Sequence, residues 1–293
     1  MHYGLVLPFA GEFHGHTIVD LAHEAEEAGW DGVFVWDGLL GDDPWVVLGA
    51  VALRTERVRI GPMVTPISRR RPWKLASETA TLDHLSNGRL ILSVGLGALD
   101  TGFANVGEKT DRKIRAQMLD EGLEILTGLW SGEPFSYDGE HYQVQDVTLH
   151  APLPVQSPRI PIWVVAAWPR PASMWPRKKS MRRALRYDGV LPQGKDSDGT
   201  SFKMTPLDVQ VMKEYVDEQR TQTTPFDIVF EVETPDDREQ AVAMVRPLAE
   251  AGVTWLVEDV YHRLVREGDK VRWERRGLEG TRVHIKQGPP RID

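Results

Sequence analysis

Short, unbroken apolar runs recur along the chain with amphipathic stretches between them, and this alternation predicts the architecture. Strands are expected at Tyr3–Leu7, Gly32–Trp36, Val58–Val64, Arg89–Val94, Ile160–Ala166, Asp188–Leu191, Phe226–Val232 and Val253–Glu258. Most are continuous Val, Ile, Leu and Phe, the pattern of parallel strands buried on both faces. The stretches between them carry helical spacing. In the first, Ile18, Leu21, Ala22 and Ala25 fall at i, i+3, i+4 and i+7, and Gly29 stops the helix. A longer one over Asp111–Trp130 is expected to bury Ile114, Met118, Leu119, Ile125, Leu126 and Leu129. Another opens at Thr234-Pro235-Asp236-Asp237 and ends before Gly252.

Eight strands alternating with helices favour an α/β (β/α)8 TIM barrel over an open doubly wound sheet. A barrel of about 250 residues forms one unit, so a single domain over residues 1–293 is expected. Two stretches interrupt the alternation. Pro134–Leu149 reads as a small hairpin insertion turning at Asp138-Gly139, and Gly194–Pro206 is a polar loop after strand six, either a lid or solvated slack.

Charge and composition narrow the chemistry. A net charge of −8 argues against nucleic-acid or membrane-surface binding. The absence of cysteine excludes disulfides, a thiolate nucleophile and a Cys-based metal site. With no leader-like segment and no apolar run of spanning length, a soluble cytoplasmic protein is expected.

Barrel enzymes work at the carboxyl ends of their strands. Just past those ends stand Pro8 and Phe9; Trp36, Asp37 and Gly38; Thr65 and Pro66; Gly95, Leu96 and Gly97; Ala166, Ala167 and Trp168; Pro192 and Gln193; Glu233; and Glu258 and Asp259. This set is aromatic, rich in Gly and Ala, and short of histidine. No histidine pair has metal-ligand spacing, and no Gly-x-Ser-x-Gly elbow offers a nucleophile. A dinucleotide fingerprint at Gly95-Leu96-Gly97 fails because the third glycine position is Asp100. A flat apolar slot lined by small residues suits a planar aromatic cofactor. Phe9, Trp36, Trp45 and Gln193 are candidates for the substrate side.

Several motifs carry a resemblance. Thr65-Pro66-Ile67-Ser68-Arg69-Arg70-Arg71-Pro72, Leu82-Asp83-His84-Leu85-Ser86-Asn87-Gly88-Arg89-Leu90 and Val94-Gly95-Leu96-Gly97 closely resemble the bacterial luciferase-like superfamily. Gly122-Leu123-Glu124-Ile125-Leu126, Gly139-Glu140-His141-Tyr142, Tyr187-Asp188-Gly189-Val190-Leu191-Pro192 and Gln287-Gly288-Pro289-Pro290-Arg291 look like its later landmarks. The resemblance implies a (β/α)8 barrel that binds FMN or the deazaflavin F420, transfers hydride or activates oxygen, and forms a homodimer. It also implies a small organic substrate and, for a flavin enzyme, a separate flavin reductase. Carried over, it places Pro62, Met63, Thr65, Gly95 and Gly97 against the cofactor ring, with a non-prolyl cis peptide at Pro62–Met63. It places Ala166, Ala167 and Trp168 near the cofactor, the alanines standing where the family commonly shows two phosphate-binding glycines. Asp37 and Thr65 are the catalytic candidates.

Two departures matter more. F420-dependent relatives that oxidise alcohols carry a histidine where this chain has Gly38, and a carboxylate where it has Ala98. The expected acid–base pair is missing, which favours a reduced-flavin monooxygenase. The alternatives are an F420-dependent reductase and a flavin-binding protein without turnover. After strand five, Arg170, Arg177, Lys178, Lys179, Arg182, Arg183 and Arg186 form a basic cluster. It reads as a solvated helix face or as an anion site for cofactor phosphate, with Arg177 and Lys178 as contacts.

Overall fold

The computed structural model describes the chain except residues 100–101, 151, 171–178, 197, 268–269 and 293, and the side chains of 263–267 and 270–273. The chain gathers into two compact units, Met1–Phe34 with Trp163–Asp293, and Val35–Ile162.

The first unit is built on parallel strands β1 (His2–Leu7), β8 (Ile162–Pro169), β9 (Gly189–Lys195), β10 (Asp227–Val232) and β11 (Trp255–Asp259). They pair in the order β1-β11-β10-β9-β8. Its helices are α1 (Gly15–Glu27), α5 (Lys179–Ala184), α6 (Pro206–Gln219), α7 (Arg238–Glu250) and α8 (Leu278–Lys286). Strand β2 (Gly32–Val35) leaves this unit at its last residue. Its Phe34 packs with Trp163 and Trp255, ring centroids 5.3 to 6.0 Å apart. Gly4 and Gly32 make room, since a Cβ at either would lie 2.9 Å from one of these rings. Such aromatic pairs contribute about 0.5–1.5 kcal/mol each beyond simple burial.

The second unit holds α2 (Pro44–Arg54), β3 (Arg59–Pro62), β4 (Thr65–Pro66), α3 (Pro72–Leu85), β5 (Leu92–Gly95), α4 (Arg112–Leu129) and the hairpin β6 (Phe135–Asp138) and β7 (Gln143–Val147). Parallel pairing joins Thr65 to Val94 and Pro66 to Gly95. The hairpin lies where the sequence places it, although its reversal occupies residues 139–142 rather than Asp138-Gly139 alone. Glu121 of α4 fastens it by accepting the Glu140, His141 and Tyr142 amides, each at 3.0 Å.

The Leu82–Leu90 motif is structural. Asp83 accepts the Val155 and Gln156 amides at 2.7 and 3.1 Å, and buried Arg89 donates to the carbonyls of Ala52, Thr55, Val58 and Ser86. His84 contacts the Leu153 carbonyl at 2.7 Å.

Two sequence expectations change. In α4 the buried row includes Arg115, while Ile114 and Met118 are only half-buried. An antiparallel pair, β12 (His262–Glu267) and β13 (Lys270–Arg275), follows β11 where no strands are expected. Among the described residues, no helix is long and apolar enough to cross a membrane.

Candidate active site at the strand exits

In the second unit, the residues just past β2 and β4 form one braced cluster. Asp37 leaves β2 with a side chain only 1% exposed. Its carboxylate accepts from the Thr65 hydroxyl at 2.9 Å, from Arg69 at 3.0 Å and from Arg70 at 3.1 Å on each oxygen. Arg69 also donates to the Asp37 carbonyl at 2.7 Å. A buried carboxylate persists only when such partners replace its lost hydration. Burial pulls the Arg69 pKa below its ordinary value, and Asp37 opposes that shift.

The bracing continues through Phe103, on the 3-10 turn Phe103–Val106. Arg69 and Arg115 both stand over its ring, at 5.2 and 5.5 Å from the centroid. Such cation–π contacts strengthen when desolvated, and Phe103 is 1% exposed. Arg115 completes the chain by donating to the Leu96 and Gly97 carbonyls at 2.6 and 3.0 Å. Gly97 has φ +76°, and a Cβ there would lie 2.7 Å from Phe103 and 2.9 Å from Pro66. The glycine is therefore required by packing, whatever approaches it from outside.

Thr65 is fully buried, so its hydroxyl acts on Asp37 rather than reaching outward. Pro62 and Gly95 are buried; Trp36, Met63, Val64 and Leu96 are half-buried. Trp45, on α2, is 8% exposed and carries the Arg70 guanidinium over its ring at 5.7 Å. The non-prolyl cis peptide is Met63–Val64, one bond later than expected. Strand pairing persists through Met63, whose amide donates to the Val35 carbonyl at 2.7 Å, so the irregular bond falls after it.

The accessible side chains at these exits are apolar: Met63, Val64 and Leu96, with Leu40 and Leu99 beyond them at 84% and 46% exposure. The nearby charges neutralise one another around Asp37. Accessible apolar side chains beside a self-compensated polar cluster are the kind of surface that suits a flat tricyclic ring. Gly38 adds clearance, because a Cβ there meets nothing nearer than the Leu40 carbonyl oxygen at 3.9 Å.

In the first unit, strand parity sorts the candidates. Ala167 shares a face with Trp163, whereas Ala166 and Trp168 lie on the opposite one. Trp168 is 2% exposed and meets Tyr215 of α6 edge-on at 6.4 Å, so it packs against the helix layer instead of opening outward. The Ala167 amide donates to the Ser180 hydroxyl at 3.3 Å. Phe9 is half-buried and Gln193 is exposed. Arg177 and Lys178 lie outside the described residues. Of the remaining basic cluster, Arg170 pairs with Asp208, and Arg183 is 5% exposed rather than facing solvent. The segment after β9 is a hydrogen-bonded reversal, with Asp196 donating to Thr200 and Phe202 to Gly194.

Sequence reasoning missed Glu231. It stands on β10 beside Val257 of β11, accessible to water yet ringed by protein. That crowding, with Asp259 and Glu233 adding repulsion, pushes its carboxyl up to about 7. Glu233 is raised for the same reasons, burial first and then Asp259. The signal was available, since a lone Glu in an apolar run invites the question of what it faces. Glu258 differs: 1% exposed, it accepts from Thr234 and contacts His284 at 2.7 Å.

Residues 1–286 match the family model described as luciferase-like monooxygenase. The chain is 35% identical over 207 residues to an F420-dependent glucose-6-phosphate dehydrogenase of Microbacterium testaceum, covering 67% of this chain and 58% of that protein. A protein of the same description from Nakamurella multipartita is 30% identical over 284 residues, covering 85% and 81%. Against the first three curated relatives, the match spans 48% to 58% of their length. Among solved structures, a monooxygenase from Streptomyces bottropensis superposes with a TM-score of 0.74 at 20% identity, covering 98% of this chain and 97% of that one. An F420-dependent secondary alcohol dehydrogenase gives 0.69 at 17% identity, covering 88% and 93%. This likeness shows the fold, the α/β (β/α)8 class that the apolar runs predict.

Proposed function

The chain belongs to the luciferase-like monooxygenase family; from that premise we propose that it is an oxidoreductase that delivers hydride from reduced F420 to an activated organic acceptor. Either cofactor, F420 or a flavin, would supply a hydride, and a reduced flavin would in addition react with oxygen. Pro62, Met63, Val64, Gly95 and Leu96 would form the shelf under the ring. The Asp37, Arg69 and Arg115 braces would keep that shelf rigid, since a loose site loses the alignment that chemistry needs. The apolar rim would keep water from the reacting face.

The observation that carries this reading is the engagement of Asp37. Both of its oxygens are taken by Thr65, Arg69 and Arg70, so it has none to offer a substrate hydroxyl. Its neighbour Gly38 and the residue Ala98 beyond β5 carry no proton-transfer group either. An acceptor activated by conjugation needs less acid–base help than an alcohol, whose proton must leave with the hydride. The descriptions of the curated relatives favour F420 over FMN. A second reading, a reduced-flavin monooxygenase, draws on the description of the family model and on the same missing pair.

Fluorescence titration with F420 and with FMN, followed by stopped-flow mixing, tests both. Saturable F420 binding with single-turnover reduction of a conjugated enone, and no oxidation of secondary alcohols, is the expected result. Alcohol oxidation with F420 would overturn the proposal. Rapid oxygen consumption by the reduced FMN complex, without F420 binding, would replace it with the second reading.

A further inference from the structure

A separate cavity lies on the outer side of the arginine run in the second unit. It measures about 260 Å³ and is lined by Ser68, Arg69, Arg70, Arg71, Lys109 and Tyr142, with Glu108 also in the wall. Arg69 and Arg70 are committed to Asp37, and Arg70 also faces Asp43 and Glu78 at 3.8 and 3.9 Å. Arg71 and Lys109 have no carboxylate partner among the described residues; Arg71 only stands over the Trp73 ring at 6.0 Å.

Two hydroxyls in the same lining are left without acceptors. Ser68 is 8% exposed and Tyr142 4%, and neither oxygen has a hydrogen-bond partner among the described residues. A buried hydroxyl without a partner is costly, and native structures rarely leave one so. Here both residues belong to the lining of one cavity, beside two cations without a carboxylate partner among the described residues.

We propose that this cavity binds a phosphate group, with Tyr142 and Ser68 donating their hydroxyl hydrogens and Arg71 and Lys109 supplying the charge. Burial holds the Tyr142 phenol up at about 12, so it remains a donor throughout the neutral range. The Glu108 carboxylate disfavours a diffuse anion, so binding depends on direct hydrogen bonds as well as on charge. Nothing in this assignment depends on the redox reading above; the cavity would bind phosphate whichever cofactor the enzyme uses.

Isothermal titration of the full chain with inorganic phosphate, and separately with glycerol phosphate, tests it at low salt. One saturable site per chain is expected. Tighter binding of the free ion identifies inorganic phosphate as the occupant, and tighter binding of the ester identifies a phosphate carried on an organic molecule. Tyr142→Phe should weaken binding about tenfold, the value of one hydrogen bond to a charged acceptor. The Arg71→Ala, Lys109→Ala double variant, both positions being exposed, should weaken it at least as much while leaving the melting temperature unchanged. No saturable heat with either probe, or affinities equal in the wild type and both variants, would overturn the proposal.

Discussion

Replacing Asp37 by asparagine keeps the shape of the side chain and removes its charge. Arg69, its side chain only 7% exposed, then loses its counter-charge, while Arg70 keeps Asp43 and Glu78 within 4 Å. Removing one partner of a buried ion pair costs about 3–5 kcal/mol, because the other charge stays desolvated and unpaired. Over 293 residues the unfolding entropy is about 0.6 kcal/mol/K, so that loss corresponds to a fall in Tm of roughly 5–8 °C. Calorimetric melts of the wild type and Asp37→Asn at neutral pH read this directly. A double-mutant cycle with Arg69→Met separates the lost pair from lost packing. If the unpaired charge is the cause, removing Arg69 as well should recover about 1–3 kcal/mol of the deficit. A Tm within about 2 °C of the wild type, or costs that simply add, would refute the reasoning.

The raised Glu231 carboxyl makes a pH prediction of definite sign. With a folded-state value of about 7 against an ordinary 4.5, the folded chain binds this proton more tightly than the unfolded one between those values. Stability should therefore fall as pH rises from 4.5 through 7, and Glu231→Gln should melt higher than the wild type at pH 8 but not at pH 4; a gap independent of pH would contradict this. Gly97→Ala should cost about 2–4 kcal/mol in urea unfolding, from overpacking against Phe103 and from the positive φ, and a loss below about 1 kcal/mol would mean that the ring gives way easily. Glu121→Ala should cost about 1.5–3 kcal/mol and speed amide exchange at residues 140–142, whereas unchanged protection there would show that the hairpin holds itself.

The alternation of strands and helices was legible because buried parallel strands leave unbroken apolar runs, and these survive in any sequence of the class. Asp37 was legible as an exit residue, yet its occupation by Arg69 and Arg70 was not. A run of three arginines ordinarily reads as a solvated face, and only the 3-10 turn Ile67–Arg69 directs two of them inward. Arg115 was hidden in the same way by its helix, where periodicity marks apolar residues and passes over an arginine that lies on Phe103. Trp168 meets Tyr215 of α6, a contact that counting the pleat along β8 would have brought to notice. The displaced cis peptide shows the limit of transferring a feature by motif: the neighbourhood carries over, while the bond itself follows the last pairing of Met63 with Val35. The β12–β13 pair passed unnoticed although its residues alternate, because the barrel pattern already appeared complete at Glu258.

The open space beside Gly38 has a bearing on how such enzymes diversify. The residue that steadies the rim and the residue that could do chemistry are adjacent in the chain but independent in their surroundings. A side chain placed at 38 would start next to an immobilised carboxylate, with its Cβ no nearer than 3.9 Å to any atom beyond its chain neighbours. Steadiness and reactivity can thus be exchanged separately, and a scaffold with that separation can gain or shed a proton-transfer step by one replacement while its frame stays as it was.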